Sequence, residues 1–204
     1  MSQNSLLKKF SEALIPTDWG RFLMSAYSID EVNPMPHLVL KHPEIDTNNP
    51  VLVRVHSECL TGDLFHSHRC DCGEQLDLSM EYISKEKGML IYLRQEGRGI
   101  GIINKLRAYN KQDEGFDTIE ANLLLGFDVD NRDFSVAVDI LEKEGLSNIK
   151  LLTNNPQKIA SINKGKIKII ERIPIEIPPK KENVNYLKTK KFSMGHMLKL
   201  NSQL

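Results

Sequence analysis

Cysteine is scarce in this sequence, and neither sign of charge is in excess. The 204 residues contain three cysteines, and 27 lysines and arginines balance 27 aspartates and glutamates. A balanced charge gives no overall attraction to nucleic acid or anionic membranes, so any anion site must be local. No apolar run approaches the ~20 residues that span a bilayer. The N-terminal M-S-Q-N-S-L-L-K-K-F lacks the apolar core of a signal peptide. These absences predict a cytoplasmic protein that binds neither nucleic acid nor membranes.

Apolar runs and charged helical patterns alternate along most of the chain, which predicts an α/β (α+β) fold. Strands are predicted at 19–28, 38–40, 51–55, 89–93, 149–152, 167–170 and 173–177. Helices are predicted at 73–87, 102–110, 119–125, 134–144 and 157–163, with one more after Asn183. The first strands follow one another without helices, so we expect a mixed β-sheet with an antiparallel part, flanked by helices. No linker is visible, which predicts a single domain over 1–204, with 1–9 and roughly 192–204 as flexible ends.

All three cysteines lie close together in the sequence. Cys59, Cys70 and Cys72 have the spacing C-x10-C-x-C. An odd number of thiols leaves one without a disulfide partner, whereas thiolates are good zinc ligands. Three protein ligands leave the fourth tetrahedral position for water, which ionises near neutral pH on zinc and becomes a nucleophile. The pattern therefore indicates a catalytic zinc site.

Two other interpretations of the cysteines stay open at this point. His56, His66 and His68 flank them, and any one of these could complete a Cys3His structural site. Alternatively, the three thiols are unconnected core residues, because free cysteine is often buried. Cysteines of a metal-binding type also favour the cytoplasm over an oxidising compartment.

A glycine-rich turn, Q-E-G-R-G-I-G at 95–101, separates a predicted strand from a predicted helix. Backbone N–H groups at the start of a helix attract anions, and glycines allow a phosphate to approach. Arg98, Lys105 and Arg107 could add positive charge. The alternative is a tight turn with a surface arginine, because the pattern is neither a Walker A loop nor a dinucleotide fingerprint.

The loop D-V-D-N-R-D carries an acid and a base two residues apart, Asp130 and Arg132. In extended backbone these side chains share a face, where they could bind and polarise a phosphate. The alternative is a solvated charged loop. Tyr109 and Thr118 carry no local signal of their own.

The segment T-N-N-P-Q-K follows a predicted strand and precedes a predicted helix. Ligands often bind at the ends of strands in α/β sheets, where Thr153 and Lys158 could contact a phosphate or a base oxygen. The alternative is an ordinary helix cap, with Asn154 or Asn155 capping and Pro156 at the first helical position.

Taken together, these segments resemble the GTP cyclohydrolase II family, the entry enzyme of riboflavin synthesis. The matching pieces occur in the family's order and cover nearly the whole chain. They are R-V-H-S-E-C-L-T-G-D, R-C-D-C-G, R-Q-E-G-R-G-I-G, N-K-L-R-A-Y, D-T-I-E-A-N, L-G-F-D-V-D-N-R-D-F, L-L-T-N-N-P and M-G-H-M-L.

The resemblance implies a role for each candidate residue. Cys59, Cys70 and Cys72 would bind the catalytic zinc. Asp130 would be the proton acceptor, Arg132 the nucleophile, and Tyr109 would assist at the hydrolytic centre. The residues that would bind GTP are Arg54, Val55, His56, Ser57, Glu58, Gln75, Glu96, Gly97, Arg98, Thr118, Thr153 and Lys158.

The implied reaction opens the imidazole ring of GTP, releases formate from C8 and removes pyrophosphate. Its product is 2,5-diamino-6-(5-phosphoribosylamino)pyrimidin-4(3H)-one. Magnesium would accompany the phosphates, and a homodimer is implied. The dihydroxybutanone-phosphate synthase region that some relatives carry is missing, so we expect a monofunctional enzyme. The alternative function is a zinc-stabilised GTP-binding regulatory module without catalysis.

Two hypotheses refine the implied roles. An arginine side chain is protonated at neutral pH and has no free lone pair, so Arg132 would act mainly as an electrostatic clamp on the phosphates. His66 and His68 depart from the family pattern, and we predict that neither is a zinc ligand.

Overall fold

A mixed β-sheet is the framework of the chain in the computed structural model, which describes residues 6–200. Within that range the sheet has seven strands. They are β1 (Lys8–Thr17), β2 (Gly20–Ser28), β3 (His37–Lys41), β4 (Val51–Ser57), β5 (Met89–Leu93), β6 (Asn148–Leu152) and β7 (Lys168–Ile173). Their order across the sheet is β1-β2-β3-β5-β4-β6-β7.

The sheet is antiparallel on one side and parallel on the other. β1 pairs with β2, β2 with β3, and β3 with β5, all antiparallel. β4 pairs with β6 and β6 with β7, both parallel. Antiparallel neighbours need only a tight turn, whereas parallel neighbours need a crossover. The prediction of a mixed sheet with an antiparallel N-terminal part is confirmed.

Seven helices accompany these strands within the described residues. They are α1 (Leu60–Asp63), α2 (Cys72–Lys85), α3 (Gly101–Asp113), α4 (Thr118–Leu124), α5 (Ser135–Lys143), α6 (Pro156–Ile162) and α7 (Val184–Phe192). None of them is long and apolar enough to cross a membrane. The α/β fold class is therefore confirmed.

The hydrophobic core explains why the central strands carry runs of apolar residues. Val53, Ile91 and Leu151, on β4, β5 and β6, have no exposed surface. Helix α5 packs Ile140 and Leu141 into the same cluster. Strands covered on both faces appear in sequence as continuous apolar runs, which is why these three were predictable.

The chain divides into two compact units. The first, here called the sheet unit, comprises residues 1–56, 77–94 and 133–175. The second, here called the cysteine unit, comprises residues 57–76, 95–132 and 176–204. The prediction of one domain over the whole chain stays a prediction.

Two of the predicted segments differ from the structure. Strand β1 begins at Lys8, inside the segment 1–9 that was predicted to be loose. Most of β1 is exposed, so it lacks the apolar pattern that reveals a strand. The strand predicted at 173–177 was wrong, because β7 ends at Ile173 and Pro174 cannot donate a ladder hydrogen bond. Residues 1–5 and 201–204 of the predicted flexible ends lie outside the described residues.

Candidate functional site

Three thiols meet in the cysteine unit. The Sγ atoms of Cys59, Cys70 and Cys72 all lie within 4.8 Å of one another. Those of Cys59 and Cys70 are 3.5 Å apart, much farther than the ~2.05 Å of a disulfide. Two thiolates on a tetrahedral zinc, with Zn–S bonds of ~2.3 Å, lie ~3.8 Å apart. The three sulfurs therefore have the spacing and chemistry of a zinc site, and they are not unconnected core thiols.

The backbone of helix α1 passes close to the sulfur atoms of this cluster. Helix α1 begins directly after Cys59, and its Gly62 lies against the sulfurs. A Cβ atom at Gly62 would lie 2.9 Å from the Sγ of Cys70 and 3.1 Å from that of Cys59. Only glycine leaves space for the cluster at this position.

The described residues supply no histidine to the cluster. Within 6–200, the three cysteines alone form a group with metal-ligand spacing. His66 and His68 are exposed, and the ring of His56 stacks on Tyr92 with centroids 5.5 Å apart. These positions favour a three-ligand site with an open position over a Cys3His structural site.

The electrostatics of the cluster favour a cation. Hydrogen bonds from Cys70 and Cys72, together with the ammonium of Lys105, hold the pKa of the Cys59 thiol far below its ordinary value. The hydrogen bond to Cys59 in turn raises the pKa of Cys70 to about 11. At least one sulfur in the group is therefore an anion at neutral pH, and a buried anion requires a cationic partner.

Tyr109 lies beside the cluster. Its hydroxyl is 3.3 Å from the Oγ1 of Thr61, and the Thr61 hydroxyl is 3.8 Å from the Sγ of Cys59. The ammonium of Lys105 lies 5.8 Å from the centre of the Tyr109 ring. Burial raises the pKa of the Tyr109 hydroxyl above its ordinary value, so the group is a hydrogen-bond donor at neutral pH.

A buried ion pair braces the cysteine loop. Asp71, between two cysteines, is 2% exposed and accepts a hydrogen bond at 2.6 Å from Lys190 of helix α7. The side-chain amide of Gln75, a predicted GTP-binding residue, also donates to Asp71. Asn183 donates its side-chain amide to the backbone carbonyl of Cys70. Sequence reasoning missed these partners because Lys190 and Asn183 lie far along the chain.

The glycine-rich turn and the acid-base loop contact each other. Gly97 and Arg98 both adopt left-handed backbone, with φ of 61° and 62°. The carbonyl of Arg98 accepts the N–H of Asn131 at 3.0 Å, and its Nη1 donates to the carbonyl of Val129. Its Nη2 has no hydrogen-bond partner among the described residues. Left-handed backbone costs free energy at a non-glycine residue, so the backbone of Arg98 is strained in this loop.

Asp130 and Arg132 form an ion pair with two side-chain hydrogen bonds. The Nε of Arg132 lies 2.8 Å from one oxygen of Asp130, and its Nη2 lies 2.5 Å from the other. Burial acts to raise the pKa of Asp130, but the hydrogen bonds and charge of Arg132 outweigh it and lower that pKa. The charge of Arg98 lowers the pKa of Asp130 further. Asp130 is therefore ionised, and it orients the guanidinium beside it.

Several predicted residues lie on β4, directly after β6 or on helix α6 in the sheet unit. Arg54 donates from Nη1 to the carbonyl of Leu152 at 3.0 Å, and Lys158 donates to the carbonyl of Val55 at 2.7 Å. Thr153 is 1% exposed and follows β6. The carboxyl ends of parallel strands are the usual ligand edge of an α/β sheet.

The cap predicted in T-N-N-P is confirmed. Asn155 is the N-cap of α6, its side chain accepts the N–H of Gln157, and Pro156 begins the helix.

The remaining predicted residues lie in the cysteine unit. Ser57 ends β4 with its hydroxyl buried, Glu58 is 8% exposed, and Thr118 begins helix α4.

Comparisons with known proteins agree with the residue patterns. The family model for GTP cyclohydrolase II matches residues 8–174. The riboflavin biosynthesis protein RibBA of Bacillus cereus is 51% identical over 197 residues, which are 96% of this chain and 49% of that protein. RibBA of Bacillus mycoides is 50% identical and that of Bacillus cytotoxicus 48%, over the same shares of both chains. The chain thus spans about half the length of the curated relatives it matches.

A solved structure is also similar at a low level. RibBX of A. baumannii, a two-domain 3,4-dihydroxy-2-butanone 4-phosphate synthase, gives a TM-score of 0.41 at 19% identity. The match covers 80% of this chain and 40% of that one. A similarity this weak supports no conclusion about function.

Proposed function

The chain belongs to the GTP cyclohydrolase II family, and from this premise we propose that it is a zinc-dependent GTP cyclohydrolase of riboflavin biosynthesis. The proposed reaction hydrolyses the two carbon–nitrogen bonds of guanine C8, which releases formate. It also hydrolyses the bond between the α- and β-phosphates, which releases pyrophosphate. Each bond consumes one water. The product is 2,5-diamino-6-(5-phosphoribosylamino)pyrimidin-4(3H)-one.

The observation that carries the proposal is the group of three thiols, of which Cys59 and Cys70 are buried. Among the described residues, no histidine belongs to this group. Guanine C8 is a poor electrophile, so its hydrolysis at neutral pH needs a strong nucleophile. Zinc, when bound by Cys59, Cys70 and Cys72, supplies Lewis acidity and brings the pKa of a water ligand near neutrality.

Tyr109 is the proposed proton donor at this centre. Its hydroxyl is buried beside Thr61, and burial raises its pKa, so it holds its proton at neutral pH. A protonated hydroxyl can donate a hydrogen bond to a nitrogen of the imidazole ring as the C8–N bond breaks.

The Asp130–Arg132 pair and Arg98 form the proposed phosphate clamp. Asp130 holds the Arg132 guanidinium in one orientation, and Arg98 has a nitrogen without a partner among the described residues. Guanidinium groups bind phosphate oxygens with two parallel hydrogen bonds. Because the pKa of Asp130 is lowered, it is a poor base for removing a proton from Arg132. A clamp therefore agrees better with this geometry than a covalent nucleophile.

The remaining assignments follow from family membership. Magnesium would accompany the GTP phosphates, and the protein would act in the cytoplasm as a homodimer. The proposed GTP-binding residues besides Arg98 are Arg54, Val55, His56, Ser57, Glu58, Gln75, Glu96, Gly97, Thr118, Thr153 and Lys158.

Incubation of zinc-loaded protein with GTP and magnesium tests the proposal through two products. We expect formate and pyrophosphate from the wild type, and no formate from Cys59→Ser. Arg132→Met should lose pyrophosphate release while zinc content stays normal. Folded, zinc-loaded wild type that gives neither product would instead favour the second candidate, a GTP-binding module without catalysis.

A quench experiment separates the two roles of Arg132. The reaction is stopped in acid during turnover, and the protein is analysed by peptide mass spectrometry. We expect unmodified Arg132. A guanylyl group trapped on Arg132 would establish a covalent intermediate and overturn the clamp.

A further inference from the structure

Lys105 is buried against a thiol of the cysteine cluster. It is 9% exposed, and its Nζ lies 3.1 Å from the Sγ of Cys59. Lysine is almost never buried this deeply without a partner of opposite charge. An ammonium at this distance donates a charge-assisted hydrogen bond to the sulfur.

A carboxylate holds the ammonium in place. Glu96 accepts a hydrogen bond from Lys105 at 2.8 Å, and both side chains are about one tenth exposed. The same carboxylate accepts the backbone N–H of Leu60, the residue after Cys59, at 2.5 Å. Glu96 thus connects the ammonium to the backbone that carries the first cysteine.

We propose that Lys105 is a positioning residue of the metal centre, which orients the Cys59 thiolate and offsets its charge. This inference rests on the proposed zinc site. Three thiolates around a divalent cation carry one net negative charge, and an uncompensated buried charge is costly. The ammonium of Lys105 places a positive charge against the Cys59 sulfur and withdraws electron density from it.

The geometry argues against Lys105 as a direct phosphate ligand, a role that the sequence also allowed. Its ammonium already contacts two groups, the thiol of Cys59 and the carboxylate of Glu96. Two of its three N–H donors are therefore used within the protein. Arg107, the other cation named for that role, donates to Asn104 on the exposed surface of α3.

Zinc affinity, measured by chelator competition with the metal alone, tests the inference. Lys105→Met keeps the apolar stem but removes the charge and the donors. Loss of an outer-sphere partner of a metal ligand costs about 10- to 100-fold in affinity, and we expect a loss in that range. Lys105→Arg should recover most of it. The matched control is Lys111→Met, since Lys111 is on the same helix but pairs with Glu114.

A spectroscopic readout distinguishes this role from a general loss of structure. With cobalt in place of zinc, the thiolate-to-metal charge-transfer band reports the energy of the sulfur lone pairs. Without the hydrogen bond from Lys105 these lone pairs rise in energy, so the band should move to longer wavelength in Lys105→Met. The band should be unchanged in Lys111→Met. If Lys105→Met does not fold, Lys105→Leu gives the same test, because it also removes the charge and the donors.

Unchanged zinc affinity and an unshifted cobalt band in Lys105→Met would overturn the inference. That result, with a wild type that binds zinc through its cysteines, would leave the proposed function intact. A wild type that binds no zinc would instead contradict the proposed function, so the two failures are distinguishable.

Discussion

Removing the ammonium of Lys190 should leave the carboxylate of Asp71 buried without its cation. Asp71 is 2% exposed, and the side chain of Lys190 is 12% exposed. At an effective dielectric constant of ~20, the Coulomb attraction across their 2.6 Å separation is about 6 kcal/mol. Desolvation of the two ions offsets much of this energy, so the intact pair contributes little net stability.

Breaking the pair is different, because one buried charge remains. Such a change costs about 3–5 kcal/mol. Gln75 still donates a hydrogen bond to Asp71, so for Lys190→Met we expect about 3 kcal/mol, the lower end of that range. Equilibrium unfolding in urea measures this loss as a lower midpoint, and the double variant Asp71→Asn/Lys190→Met should recover part of it.

The matched control is a much less buried ion pair of the same kind in the same unit. Lys180 and Glu74 are 3.1 Å apart with side chains 34% and 41% exposed. Exposed pairs contribute about 0–1 kcal/mol, so Lys180→Met should cost no more than that. If Lys190→Met and Lys180→Met lose the same stability, burial does not decide the energy of these pairs, and the reasoning is refuted.

Three further predictions concern single side chains. Gly62→Ala introduces a Cβ at 2.9 Å from the Sγ of Cys70, so we expect a loss of about 1–3 kcal/mol in unfolding free energy and weaker zinc binding in chelator competition. Asn155→Ala removes the cap of α6 and should cost about 0.5–2 kcal/mol in urea unfolding. Burial acts to raise the pKa of Glu144, but hydrogen bonds from Lys41 and Tyr27 outweigh it and lower that pKa. The stability from Glu144 is therefore complete above about pH 4.3 and is lost as the pH falls through the lower, folded-state pKa. Glu144→Gln should remove this part of the acid dependence of unfolding.

Each of these predictions has an outcome that contradicts it. Wild-type stability and zinc affinity in Gly62→Ala would show that the cysteine cluster has room for a methyl group. An unchanged free energy in Asn155→Ala would mean that the cap contributes nothing to α6. An acid-unfolding profile of Glu144→Gln with the wild-type slope would show that another group causes the loss of stability at low pH.

The central strands were predictable because burial on both faces leaves a visible pattern. The segments that became β4, β5 and β6 are mostly apolar, and each was predicted within two residues of its observed end. Strand β1 has no such pattern, because most of its side chains are exposed. Its place in the sheet depends on pairing with β2, which no local property of residues 8–17 indicates.

The cysteine cluster was predictable from the sequence, but its partners were not. The spacing of the three cysteines indicated a zinc site, whereas the roles of Asp130 and Arg132 came from the family resemblance, because their spacing also fits a solvated charged loop. The contacts of Lys105 with Cys59 and of Lys190 with Asp71 join residues 46 and 119 positions apart. Such contacts are set by the tertiary fold. A lysine on an amphipathic helix therefore carries no local sign of which anion it meets.

GTP labelled with carbon-13 at C8 gives the most direct test of the central claim, that this protein hydrolyses the guanine ring and needs a zinc ion bound by its three cysteines to do so. The account predicts that, with zinc-loaded protein and magnesium, the carbon-13 signal moves from guanine to formate. It also predicts that the transfer stops when a chelator removes the zinc and resumes when zinc is returned. A signal that stays on guanine with folded, zinc-loaded protein, or that moves at the same rate without zinc, would contradict the account.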